Sequence, residues 1–228
     1  MRCLIGGLQF NWGLTIKIIE EGCERVMINF VTTDVSHFRF DEYRREIIDY
    51  DGEEKNVVIP SHIDGMEVVS IGPDAFWNKG LTSVILPPTL SVIGFYAFAF
   101  NELKEVRIPK SVVLIEDGAF MHNKLEFLRL GKDLFSIPYA GFCHNRLSKI
   151  VLPENVQEIH PDAFGHNPIK ELVFEGLPTF IHRPAFNLGI DDMGQVTVSG
   201  VGASDLRSLL DHHAKYVDTF RALHASRQ

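Results

Sequence analysis

Apolar residues recur along this chain with a period too long for any single helix or strand. Phe76, Phe98, Phe120, Phe142, Phe164 and Phe186 are 22 residues apart. Leu81, Leu103, Leu125, Leu147 and Ile169 keep the same spacing, as do Ile71, Ile93, Ile115, Ile137, Ile159 and Ile181. Aligned on that period, AFWNKGLTSVILP from Ala75 stands over AFAFNELKEVRIP from Ala97 and AFMHNKLEFLRLG from Ala119. GFCHNRLSKIVLP from Gly141 and AFGHNPIKELVFE from Ala163 follow, and a sixth start, AFNLG from Ala185, breaks off. A fixed period with no insertion predicts a solenoid, because one rung alone has nothing to bury its apolar side chains against.

The unit reads LxxVxIPxxVxxIxxxAFxxNx. In the rung from Leu103 the apolar positions are taken as Leu103, Val106, Ile108, Val113, Ile115, Ala119 and Phe120. Val106-Arg107-Ile108 alternates in, out, in, as a short strand does. Proline follows the strand at Pro87, Pro109 and Pro153, where a missing N–H costs least. Rungs stacked roughly 4.8 Å apart lay like on like. The phenylalanine column is then the heaviest part of the core, and the small residue before each ring, Ala or Gly141, leaves room for it. Asn101, Asn123, Asn145 and Asn167 form a second column, and a buried amide there can serve the backbone groups that each turn leaves unpaired. The first rung departs from this: Asn78 comes one residue early and Lys79 holds the ladder position, which predicts a different neighbour, the N-terminal cap.

The phrase from Val57 to Phe186 resembles the leucine-rich repeats of the BspA-like bacterial surface-protein class, IPxxVxxIxxxAFxxCxxLxxVxIP with Asn often in place of Cys. The resemblance implies a leucine-rich repeat solenoid that starts with a strand pair. The fold expected is α/β-type, mostly short parallel strands and turns, with an N-terminal β-hairpin cap and a C-terminal helical cap. It implies a role in binding, such as adhesion or contact with host or surface molecules, with no catalytic residues and no common ligand.

An exposed end of such a sheet needs covering, and both ends carry a suitable segment. Phe38-Arg39-Phe40 and Ile47-Ile48-Asp49-Tyr50 are two strand patterns, with Asp51-Gly52 as the expected hairpin turn. Asp64-Gly65 marks an extra turn before the first regular rung. After Phe186 the period fails, Gln195–Val198 reads as a last strand, and Ser204 or Asp205 as a helix N-cap. Leu206, Leu209, Leu210, His213, Val217, Phe220 and Leu223 share one helical face. Two readings stand for it: a lid on the last rung, or a surface for self-association or another partner. The expected organisation is an extension of uncertain structure over 1–36, a cap over 37–66, repeats over 67–190 and a terminal strand and helix over 191–228. Within the extension, Leu14–Ile19 reads as a strand or a short helix.

Composition narrows the function. The chain has 228 residues, 45% hydrophobic, enough for one elongated core. Its net charge is −8, from 22 basic and 30 acidic side chains, which argues against nucleic acid as a partner. No apolar run reaches membrane-spanning length, so membrane insertion is not expected. Cys3, Cys23 and Cys143 read as free thiols, too scattered for a disulfide framework. No secretory signal is legible, so the residues alone read as cytoplasmic, whereas the resemblance implies the cell surface or secretion. No nucleotide, hydrolase or zinc-protease motif is present, Asp191-Asp192 reads as a solvated loop pair, and no cofactor is expected.

The outward strand positions are the expected docking surface, which on a leucine-rich solenoid is the inner, curved face. They are Glu105, Arg107, Phe127, Arg129, Lys149, Val151 and Glu171. Arg107 and Arg129 should be neighbours with Phe127 beside them, and Arg and aromatic residues are frequent interface anchors. The leading reading is a non-catalytic protein-binding module. A carbohydrate or cell-wall binder ranks second, since Phe127 is the one aromatic residue on that face. An enzyme of unrecognised type ranks third. His122, His144 and His166 form a column, one per rung. A solvent-facing stack is the leading reading and a shared metal the weaker one, because no carboxylate recurs beside them.

Overall fold

The computed structural model describes residues 33–188, 194–208, 210, 211, 215 and 218, with the backbone strands Ile16–Ile18 and Ile28–Phe30. Those two strands pair antiparallel. Cys3, Cys23, Asp191, Asp192 and the helix-face residues Leu209, His213, Val217, Phe220 and Leu223 lie outside the described residues.

The chain is a β-solenoid. Each rung contributes a strand of three or four residues to one face and a strand of two residues to another. The long-strand face runs through Asn56–Val58, Ser83–Ile85, Glu105–Arg107, Phe127–Arg129, Lys149–Leu152, Glu171–Phe174 and Thr197–Gly200. The short-strand face runs through Ser70–Ile71, Val92–Ile93, Leu114–Ile115, Ser136–Ile137, Glu158–Ile159 and Phe180–Ile181. Pairing between repeats is parallel and in register: Val92 meets Ser70 and Leu114, and Arg107 meets Arg129. The second strand column carries the isoleucines of the period. Two-residue strands leave no alternation to read, so only their inward Ile marks them in the sequence.

The inward positions form columns as the period predicts. Leu81, Leu103, Leu125 and Leu147 are fully buried, as are Ile71, Ile93, Ile137 and Ile159. One assignment is corrected. Val112 is fully buried and Val113 is exposed, so the buried column is Leu90, Val112, Leu134 and Val156. Val113 instead precedes the outward Leu114 of a two-residue strand.

Phe76, Phe98, Phe120, Phe142 and Phe164 have no exposed surface. Their rings stack nearly parallel, at 4.9, 5.2, 5.5 and 5.6 Å between successive centroids, and Phe186 continues the pile at 5.7 Å. Tyr50 of the N-terminal cap stacks on Phe76 at 5.4 Å and extends the column into the cap. Offset aromatic pairs at such distances add about 0.5–1.5 kcal/mol each beyond area burial.

The asparagine column joins each rung to the one before it. Asn123 Oδ1 accepts from the Leu103 N–H at 3.1 Å, and its Nδ2 donates to the carbonyls of Phe98 at 2.9 Å and Phe120 at 3.2 Å. Asn101, Asn145 and Asn167 repeat the pattern in the rung before and the two rungs after. At the next position the sequence has Gly189, which has no amide side chain, and the Ile169 N–H turns to the Asn167 carbonyl at 2.9 Å. At the other end Lys79 occupies the ladder position and its Nζ reaches Asp49 of the cap at 3.0 Å.

The turn between strands is tight, with two residues per rung in the left-handed region. Asp74, Tyr96, Gly118, Ala140 and Asp162 form one such column, and Asn78, Phe100, His122, His144 and His166 the other. Gly131, where three other rungs have proline, shows a close approach between rungs. A Cβ there would lie 2.4 Å from the Pro109 carbonyl oxygen.

At the N-terminal end Phe38–Asp41 and Glu46–Tyr50 form an antiparallel hairpin, and Glu46–Tyr50 pairs in parallel with Ser70–Ile71, so the hairpin covers the first rung. Its turn spans 42–45 rather than Asp51-Gly52. The Asp41 carboxylate accepts from the Tyr43 and Arg44 N–H groups, and Arg45 takes a positive φ, so the turn is closed there. Asp64-Gly65 does form a two-residue hairpin, between His62–Ile63 and Met66–Glu67. At the other end the last strand is Thr197–Gly200, two residues later than expected. The helix has begun by residue 203, so Ser204 and Asp205 sit in its first turn rather than at the cap. Leu206 and Leu210 are buried in the common core.

Candidate partner-binding face

Strand alternation places the candidate residues. In Glu105–Arg107 and Phe127–Arg129 the middle residue is buried and the outer two are exposed. Glu105 is therefore the register partner of Phe127, and Arg107 of Arg129. The Arg107 guanidinium lies 4.7 Å from the centre of the Phe127 ring, close enough for a cation–π contact. Glu105 lies 3.9 Å from the same guanidinium. Arg129 is exposed and has no ion-pair partner among the described residues. Two arginines side by side repel in isolation, and the ring and Glu105 partly offset that for Arg107. Arg129 is left with open donors in a planar fork suited to a carboxylate.

Lys149 and Glu171 are also register partners, with Nζ 2.8 Å from Oε1. The pair is exposed, so it adds little to stability. Val151 faces the same way beside Val173 and is half-buried. The structure thus gathers Glu105, Arg107, Phe127 and Arg129 into one patch, with Lys149, Val151 and Glu171 following on the next rungs.

A second line of side chains runs along the turns. Trp77 meets Phe100 edge-on at 6.1 Å, and Phe100, His122, His144 and His166 stack in parallel at 4.5, 4.2 and 4.2 Å. Asn187 Nδ2 closes the line against His166 Nε2 at 3.2 Å. Burial first, and then the neighbouring His166 and His122, hold the His144 imidazole below its ordinary value of 6.5. Rings stacked this way keep their nitrogen lone pairs parallel, so the pairs do not converge on one ion. Burial raises the Asp162 carboxyl, against the opposing pull of His166 and His144. Cys143, beside this line, is a buried free thiol pushed up to about 11, chiefly by burial, and so is a packing residue rather than a nucleophile.

One cluster escaped the sequence reading. Glu158, His160 and His182 bring ligand atoms within 4.8 Å of one another on the short-strand face. They are two and 24 residues apart, so only the stacking of rungs joins them. The signal was in the aligned repeats, where the position of His160 and His182 is filled by Gly72, Gly94, Glu116 and Pro138 in earlier rungs.

Among the described residues no helix is long and apolar enough to cross a membrane. A search among curated proteins returns no match. Among solved structures the chain is similar to the T. pallidum leucine rich repeat protein TpLRR, with 26% identity, 74% of this chain and 81% of that chain covered, and a TM-score of 0.58. It is also similar to a leucine-rich repeat protein from Bacteroides ovatus ATCC 8483, with 20% identity, 57% of this chain and 44% of that one covered, and a TM-score of 0.39. The model of the BspA type leucine rich repeat region matches residues 69–189 in six copies. With its repeats, asparagine ladder and stacked rungs in place, the chain belongs to the BspA-type leucine-rich repeat family.

Proposed function

We propose that this protein is a non-catalytic binding module whose protein partner docks on the long-strand face, with Phe127, Arg107 and Arg129 as anchors. The observation that carries this is the exposed Arg107–Phe127 pair beside Arg129. The ring holds one guanidinium in place, so less side-chain entropy is lost when a partner arrives, and the second guanidinium stands free for a carboxylate. Lys149, Val151 and Glu171 extend the footprint as a polar rim. The family's repeats are typically used for binding, which agrees with this reading.

Affinity capture with the wild-type chain and with the Arg107→Ala/Phe127→Ala/Arg129→Ala variant tests it. The expected result is loss of the wild-type partners. Retention of the same partners by the variant places the site elsewhere.

The carbohydrate reading has less support. A sugar stacks on an open aromatic face, whereas His122 and His144 in the turn column have both faces covered by ring neighbours and Phe100 is stacked on one side. Self-association through the C-terminal helix is also disfavoured on its described part, since Leu206 and Leu210 are already buried in the core. Sedimentation velocity on a Leu206→Ser variant separates the two roles: a lid residue costs stability, and a docking residue changes the sedimentation coefficient.

A further inference from the structure

We infer that Glu158, His160 and His182 form a binding site for a divalent transition metal ion of the zinc type. The three residues sit on the short-strand face of the last two complete rungs. Glu158 and Ile159 form one strand, Phe180 and Ile181 the next, and they pair as Glu158 with Phe180 and Ile159 with Ile181. Ile159 and Ile181 point into the core. Alternation therefore turns Glu158 and His160 outward together, with His182 beside His160.

The geometry brings unlike donors together. His182 Nε2 lies 3.0 Å from Glu158 Oε1, and His160 Nε2 lies 3.6 Å from Glu158 Oε2. Ligands about 2.0–2.2 Å from a tetrahedral zinc ion lie roughly 3.3–3.5 Å from one another, so each carboxylate oxygen is within about 0.3 Å of ligand spacing from its imidazole. The imidazoles themselves are stacked at 4.9 Å. A turn of His160 about its side-chain torsions, on a partly exposed surface, closes the remaining gap. Here the stacked pair differs from His122, His144 and His166, near which Asp162 lies without gathering into a group of three ligand atoms. Among the described residues this is the one place where three such groups gather.

Two further observations support the reading. The ion pairs of Glu158 are to the two histidines and to no Lys or Arg among the described residues, so no permanent cation competes for the carboxylate. The Phe180 ring stands edge-on to His182 at 4.3 Å and gives the site one apolar wall. Two imidazoles, one carboxylate and water in the remaining position match the donor preference of zinc and its neighbours.

The test uses chelator-stripped protein carrying no polyhistidine tag, at pH 7.5, titrated with Zn2+ against a chromophoric competitor. One equivalent should bind saturably. His160→Ala, His182→Ala and Glu158→Gln should each weaken binding by more than the roughly 10–100-fold typical of losing an outer-shell partner, while His144→Ala leaves it unchanged. A readout independent of any variant is the set of imidazole NMR signals of the wild-type chain, where Zn2+ should move those of His160 and His182. Absence of saturable binding overturns the inference. So does binding that survives the His160→Ala/His182→Ala pair, or Zn2+ shifts confined to His122, His144 and His166.

Discussion

Two columns of rings run along this solenoid, two residues apart in every rung, and they obey different rules. Position 98 and its equivalents hold Phe in all six rungs, with no exposed surface in the five from Phe76 to Phe164. Position 100 and its equivalents hold Asn78, Phe100, His122, His144, His166 and Leu188. Both columns are stacked and both follow the same translation. The inner one is closed above and below by its own copies, so any change of volume is felt by two neighbours and the core. The outer one meets solvent along its edge and sits on a left-handed backbone, so shape and chemistry can vary there. Repetition enforces identity only where it is combined with burial.

Breaking the inner column should have the largest effect. Phe120→Ala removes a ring stacked on both faces, and a loss of about 3–5 kcal/mol is expected, read as a lower urea midpoint. The asparagine ladder should come next. Asn123→Ala leaves the buried Leu103 N–H without a partner, at about 1–3 kcal/mol, and removes one of the two amide donors to each of the Phe98 and Phe120 carbonyls. Asn123→Asp should be no milder, because a carboxylate cannot donate to those carbonyls. Gly131→Ala should cost about 1–3 kcal/mol, since the new Cβ must push the Pro109 carbonyl away, seen as a lower Tm.

The outer column should give the smallest effect, and one that depends on pH. His144 is held below its ordinary value in the folded chain, so the unfolded chain binds that proton more readily. Its contribution to stability is fully present above pH 6.5 and is lost as pH falls toward the folded value. Replacing it with His144→Phe should leave stability at pH 7.5 nearly unchanged and reduce the loss between pH 7.5 and pH 5. An equal acid loss in both proteins places the titration in other groups.

What could be read from the residues follows the same division. The core was legible because each inward position is sampled six times. Val112 and Val113 are both apolar, so one rung alone does not separate them; the 22-residue period does, since Leu90, Leu134 and Val156 align with Val112, whereas Ser91 and Gln157 align with Val113. The hairpin turn was placed at Asp51-Gly52 on local chemistry, although the Asp41 carboxylate, which bonds two backbone amides, closes it earlier. The exposed patch is legible from alternation and the fixed period together, since Arg107 pairs with Arg129 and Phe127 lies two residues before Arg129 on the same side of its strand. Glu158, His160 and His182 depart from the repeat, and averaging over rungs hides such residues.

The direction of the asparagine bonds has a consequence for synthesis. Each amide reaches back, so a rung supplies the missing partners of its predecessor and leaves its own for its successor. A nascent chain leaving the ribosome N-terminus first can therefore complete one layer with each 22 residues that emerge. Its growing tip alone has unpaired amides and carbonyls, and these stay in water until the next layer arrives.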